Sequence, residues 1–328
     1  NVIDANVYPL QQIHELAQNI RRIGLGVMGW ADMMIRLGIG YDSEEGVALG
    51  QRVMGFVDEE ARRASEKLAE KRGVFPAWPE SVWGPDESAA VGLNGGRVRQ
   101  ERELRNCNLT TVAPTGTISI FAGCSGGIEP LFAVAFMRNQ AGVLMPDVNP
   151  DFIRVAKDGG WYSEELMEQI AEEGHIHFDE VPEEVQQVFR TAHDITPEWH
   201  VRMQAAFQEH TDSAISKTTN FPSDATAEDV REIYELAYSL GCKGVTVYRD
   251  GAREGQVLST GKTDQSGQAA AQNVSELEHS LADAREEAHN LRIEVERLKH
   301  ELMGEDETLG AARQKRQRPA ALQGYTMK

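Results

Sequence analysis

The sequence predicts a mixed α/β domain followed by a coiled-coil helix, and three stretches carry that prediction. "TAEDVREIYELAYSLGCKGVTVY" (226–248) reads as one capped helix running into one strand rich in β-branched residues. "NLTTVAPTGTIS" (108–119) reads as an apolar, strand-like run that breaks at Pro114 and opens a short helix. From Val274 to Leu302, apolar residues recur at spacings of three and four for about four heptads.

Taken in order, helical periodicity covers 11–37 and 44–72. The first span contains "RRIGLGVMGWAD", with a G-x-G-x-x-G at Gly24, Gly26 and Gly29 and acidic Glu44 and Glu45 about twenty positions on. A dinucleotide turn also needs a buried strand leading in, and "IHELAQNIRRI" is polar with Ile13, Leu16, Ile20 and Ile23 at helical spacing. The expectation is therefore a helix whose small residues pack closely against a neighbour. Further helices are expected near 163–173 and 198–211, with few and short strands. In the last pair of elements Thr226 caps with Asp229, while Val230, Ile233, Leu236, Ala237 and Leu240 share a face. Gly241 ends that helix before "GVTVY".

Residues 259–273 are a polar linker, 274–303 the coiled-coil helix, and 304–328 a further linker and the start of a tail. With Val274 at position a, Glu287 and Glu294 fall at g, and Arg292 and Lys299 at the facing e positions. Those charges favour a parallel over an antiparallel pair, hence a homodimer, and the narrow, strictly a/d stripe favours a pair over a lone amphipathic helix. "ARQKRQRP" is briefly basic and reads as a solvated linker.

The chain has 328 residues, of which 41% are apolar, enough for a real core. Its 33 basic and 52 acidic side chains leave a net charge of −19, which argues against direct DNA binding or an anionic membrane surface. No run approaches the roughly 20 apolar residues of a membrane span, so a cytoplasmic location is expected. Cys107, Cys124 and Cys242 form no C-x-x-C pair and are expected to be reduced thiols. The start at Asn1 without methionine suggests a segment of a longer chain.

For chemistry, Pro114, Thr115, Gly116, Thr117, Ile118 and Ser119 offer free helix-start N–H groups, hydroxyls and a glycine that admits close approach. Spacing alone leaves this open between a phosphate cradle and a capped helix that binds nothing; no G-K-[ST] makes it a Walker loop. "GHIHFDE" alternates His175, His177 and Asp179 but reads as an exposed connector, and His193 and His200 read as structural, so no metal site is expected.

"RRIGLGVMG", "TTVAPTGTISIFAGCSGGIEPLFA", "MQAAFQEHTDSAISKTTNFPSDAT", "YELAYSLGCKGVTVYRDGAR" and "RPAALQGYTMK" together resemble the C-terminal part of an adenosylcobalamin-dependent (class II) ribonucleotide reductase. The resemblance covers residues 1 to about 258. It implies the C-terminal half of a ten-stranded α/β barrel, and reduction of ribonucleotides to deoxyribonucleotides by a thiyl radical raised through cobalt–carbon homolysis. It also implies a dithiol reductant such as thioredoxin. The family's radical cysteine, with its asparagine and glutamate, and its redox cysteine pair would lie before Asn1. No catalytic residue is therefore expected in this segment, which should be inactive alone. The substrate-phosphate loop maps onto Pro114 to Ser119. Val247 and Tyr248 map near the active site, with core packing equally open for Tyr248. Two other readings are a reductase with another radical source and an interaction module built on the coiled coil.

Overall fold

Parallel pairing between chain segments far apart in sequence organises the domain. The structure is a computed structural model that describes residues 2–87, 99–140 and 143–251. The expected linker 259–273, coiled coil 274–303 and tail 304–328 lie outside the described residues. The elements run α1 (Val2–Ala5), α2 (Gln11–Ile20), α3 (Trp30–Leu37), α4 (Glu44–Arg72), α5 (Gly116–Ala122), β1 (Ala135–Gln140), β2 (Val143–Val148), α6 (Pro150–Asp158), α7 (Glu164–Glu173), α8 (Glu183–Val188), α9 (Pro197–Gln208), β3 (Thr218–Phe221), α10 (Ala227–Ser239) and β4 (Thr246–Arg249).

Local signals account for the long helices. Ser43 Oγ accepts from the Gly46 N–H at 3.0 Å to start α4, Glu44 and Glu45 sit in its first turn, and Lys71 and Arg72 in its last, all favourable to the helix dipole. Its buried stripe runs Gly46, Gly50, Met54, Asp58, Arg62, Ser65 and Ala69. A Cβ on Gly50 would stand 2.8 Å from Phe207 Cε2, so α9 crosses α4 at glycine-limited distance. The capping box of Thr226 and Asp229 starts α10, and Gly241 at φ +76° follows its end.

The expected helix over 11–37 is not one helix. α2 stops at Ile20, and Arg21 turns left-handed (φ 49°) with its guanidinium paired to Asp4 at 2.9 Å. The chain then runs extended: the Ile23 N–H donates to Asn108 O at 3.0 Å, Leu25 N–H to Leu109 O at 2.7 Å, and Thr111 N–H to Leu25 O at 2.9 Å. Gly24 and Gly26 therefore lie in a strand-like segment rather than in a helix. A Cβ on Gly26 would sit 2.0 Å from Thr111 O, so the backbone of residues 111–112 packs directly against this glycine. Gly29 (φ +76°) then turns the chain into α3.

Leu25 bridges Thr110, Val112 bridges Ile215, and β3 pairs with β4 from Thr218↔Thr246 to Phe221↔Arg249, every one of these contacts parallel. β1 and β2 form an antiparallel hairpin, Ala135↔Val148 to Gln140↔Val143. The central core joins Trp30, Met34, Tyr41, Met54, Val112, Ile128, Met203, Phe207 and Ile215, and so ties α3, α4 and α9 to the parallel segments. Among the described residues no helix is long and apolar enough to cross a membrane.

Candidate functional site

Residues 106–130 are laid down as an extended lead, a left-handed corner and a short helix. The lead is held from both sides: Asn106 Nδ2–H donates to Arg21 O at 2.9 Å, Asn108 Nδ2–H to Ile23 O at 3.1 Å, and the Asp212 carboxylate accepts the Leu109 N–H at 2.9 Å. Arg62, 3.1 Å from Asp212, completes that anchor.

At the corner Thr115 has φ 50°, a conformation that a β-branched residue adopts at a cost of ~1–3 kcal/mol. Its hydroxyl explains how the corner persists, because Thr115 Oγ1 accepts the Gly127 N–H at 2.7 Å and laces the two ends of the loop together. The hydroxyl is thereby turned away from the helix it precedes, and it does not cap α5. Among the described residues the N–H groups of Gly116, Thr117 and Ile118 have no acceptor, whereas the Ser119 N–H donates to Thr115 O at 2.9 Å. Gly116 and Thr117 face solvent, and a Cβ on Gly116 would meet nothing within 4 Å. Open donors at the positive end of a helix suit an anion.

The structure thus lays Pro114 to Ile118 along an exposed corner, with Ser119 behind it. Ser119 is 5% exposed, with its hydroxyl donating to Gly116 O at 3.2 Å, so neither its N–H nor its O–H faces outward. Val247 is half-buried and packs against the cluster of Val201, Phe221, Ile233 and Ala237 beneath α10. Tyr248, the next residue of β4, points to the opposite face of the strand, because side chains alternate.

Sequence reasoning missed Lys217 and Glu129. Lys217 is wholly enclosed, with Nζ 2.6 Å from Glu129 Oε2 and 2.8 Å from His200 Nδ1, and it also donates to Thr218 O. Glu129 Oε1 accepts the Thr218 N–H at 2.7 Å. Burial pushes the Lys217 pKa down, against the opposing pull of Glu129. Burial, with the lysine charge beside it, brings His200 down to about 3. Both residues lie inside quoted motifs, but a single lysine and a single glutamate 88 residues apart carry no spacing signal.

His175 and His177 behave as a connector. His177 Nδ1 meets Gln186 Oε1 at 3.1 Å, and Nε2 meets Asp194 Oδ1 at 3.2 Å. The three cysteines are free and half-buried, and burial pushes Cys242 up to about 11 and Cys107 upward.

The profile described as "Ribonucleotide reductase, barrel domain" matches residues 1–248. This chain belongs to the ribonucleotide reductase family. Similar relatives are a vitamin B12-dependent ribonucleoside-diphosphate reductase of Thermoplasma acidophilum, 49% identical over 80% of this chain and 33% of its own length, and one of Mycobacterium tuberculosis (strain CDC 1551), 47% identical over 79% and 36%. The reductase segment in hand thus spans about a third of the length of these relatives. Among solved structures, the Actinobacillus ureae class Id ribonucleotide reductase alpha subunit shares the fold at TM-score 0.59 and 24% identity, over 73% of this chain and 41% of that one.

Proposed function

We propose that this chain supplies part of the barrel of a cobalamin-dependent ribonucleotide reductase, and that its corner at residues 114–118 receives the terminal phosphates of a ribonucleoside diphosphate. The observation that carries the second half is the exposed trio of unaccepted N–H groups at Gly116, Thr117 and Ile118, behind a left-handed Thr115. The relatives' names supply the diphosphate and the B12 dependence. On this reading the parallel segments at 23–25, 108–112, 215–221 and 246–249 are staves of a half-barrel, and Tyr248 lines the interior.

Adenosylcobalamin would be the cofactor of the complete enzyme, a dithiol protein such as thioredoxin its reductant, and the cytoplasm its place of work. The described residues do not on their own fit a corrin. A cleft such as the one of about 630 Å³ lined by Gly40, Asp42, Val188 and Arg190 is of a size that encloses a drug-sized ligand, and adenosylcobalamin is far larger. The roles assigned to this chain are therefore binding and positioning. Cys107, Cys124 and Cys242 sit outside the motifs that the resemblance assigns to the radical and redox cysteines, which favours a segment that contributes neither and is inactive alone. The acidic balance of the chain disfavours direct DNA contact, and the heptads at 274–302 favour a homodimer with a parallel coiled coil.

The test compares binding of CDP and cytidine to the reductase and to its Gly116→Val variant. The variant should weaken CDP by about 10-fold, as expected for loss of a charge-assisted contact, and leave cytidine within about twofold. Equal losses for both ligands, or none, would return the corner to a structural role.

A further inference from the structure

We infer that Lys217 and Glu129 are positioning residues for the phosphate corner, acting through the 126–129 turn without touching the substrate; this rests on the reading of 114–118 as the phosphate site. An ammonium has three donors, and all three of Lys217 are used: on Glu129 Oε2 at 2.6 Å, on His200 Nδ1 at 2.8 Å and on Thr218 O. The use of Nδ1 as an acceptor fixes the tautomer of His200, whose proton must sit on Nε2, where it donates to Ala192 O at 3.1 Å. The lysine is therefore a fully satisfied buried cation with no donor left for a ligand.

The partner it orients is Glu129. That carboxylate is gripped at both oxygens by consecutive residues, Lys217 Nζ on Oε2 and the Thr218 N–H on Oε1 at 2.7 Å. The Glu129 N–H donates to Gly126 O at 3.0 Å, closing a tight turn, and the Gly127 N–H of that turn reaches Thr115 Oγ1 at 2.7 Å. Tyr41 Oη–H steadies the same turn by donating to Ile128 O at 2.6 Å. Hydrogen bonds joined by the covalent chain of residues 126–129 thus lead from the buried ammonium to the Thr115 hydroxyl at the left-handed corner. Thr115 in turn aims the open N–H groups of Gly116, Thr117 and Ile118. A salt bridge serving the core alone would have no reason to end on the strained residue of the site.

The alternative, a core ion pair without functional reach, predicts altered stability and unaltered ligand discrimination. The experiment measures dissociation constants for CDP and cytidine, with KM and kcat, in the complete reductase and in Glu129→Gln, Lys217→Met and Thr115→Val, folding being checked by circular dichroism. Glu129→Gln keeps the shape and is decisive if Lys217→Met does not fold. The expected result is a rise of about 10-fold in the CDP dissociation constant and KM for Glu129→Gln, with cytidine and kcat changed less than about twofold. The double variant Glu129→Gln/Thr115→Val should be no worse than the more severe single one, because both act through one turn. Gly116→Val in the same series separates the two claims. If it discriminates CDP from cytidine while Glu129→Gln does not, or if the double variant is additive, the positioning role is refuted and the site stands. If Gly116→Val does not discriminate, the phosphate assignment has failed and the positioning role falls with it.

Discussion

A methyl group added at Gly26 lands 2.0 Å from the carbonyl oxygen of Thr111 and 3.1 Å from its carbonyl carbon, and neither belongs to a side chain that could swing aside. Relief requires the 23–26 segment to move off residues 108–112 by more than about 1 Å, since ordinary contact begins near ~3.4 Å. The Leu25 N–H to Leu109 O bond of 2.7 Å and the Thr111 N–H to Leu25 O bond of 2.9 Å would then be lost. At ~0.5–1.5 kcal/mol each, with ~1–3 kcal/mol for overpacking, Gly26→Ala should cost ~2–6 kcal/mol, a large share of a domain's ~5–15 kcal/mol. Gly24 makes the contrasting case. Its Cβ would meet the Thr111 Cγ2 methyl at 2.7 Å, a contact that a serine at 111 would not make. Gly24→Ala should cost ~0.5–1.5 kcal/mol, the scale of an off-rotamer side chain, and Thr111→Ser should recover most of it while leaving Gly26→Ala unrelieved. Gly244→Ala, with nothing within 4 Å, is the control. Urea unfolding followed by tryptophan fluorescence reads the series, using Trp30, which is 2% exposed. The reasoning fails if Gly26→Ala lies within ~0.5 kcal/mol of wild type at unchanged m-value, or if Thr111→Ser rescues both alanines alike.

His177 should titrate above its ordinary 6.5, because Gln186 Oε1 and the Asp194 carboxylate both call for a ring N–H, with burial and Arg190 opposing. Its stabilisation is then fully present below pH 6.5 and lost as pH rises through the folded-state value; a histidine NMR titration at or below 6.5 would contradict this. His200, held down to about 3 by burial and by Lys217, contributes in the other direction. Stability should fall with pH below about 6.5 at up to ~1.4 kcal/mol per unit, and His200→Gln should flatten that slope in acid unfolding curves. A peptide spanning residues 273–303 should associate as a parallel helical pair, measured by sedimentation and by cross-linking of added terminal cysteines; antiparallel products or a persistent monomer would count against it.

What the sequence by itself determined is whatever a few neighbouring residues can decide. The helix over 44–72, the Thr226–Asp229 capping box of α10 and the stop at Gly241 follow from periodicity and from local hydrogen-bond and backbone preferences, legible within a few turns. The family was legible for a different reason, since long motifs in a fixed order carry more information than any propensity. Tertiary structure alone decided the rest. Ile20 and Ile23 kept helical spacing, yet the chain left the helix at Arg21, because pairing with residues 108–111 and the Arg21 contact with Asp4 outweighed a periodicity of few residues. Val247 lies half-buried against the cluster under α10, and Ser119 turned inward for the same kind of reason: which face a short element buries depends on what arrives from elsewhere. Lys217, Glu129 and His200 become one unit only when α9, β3 and the 126–129 turn meet, and no local rule tells a buried lysine from a solvated one before its partners are in place.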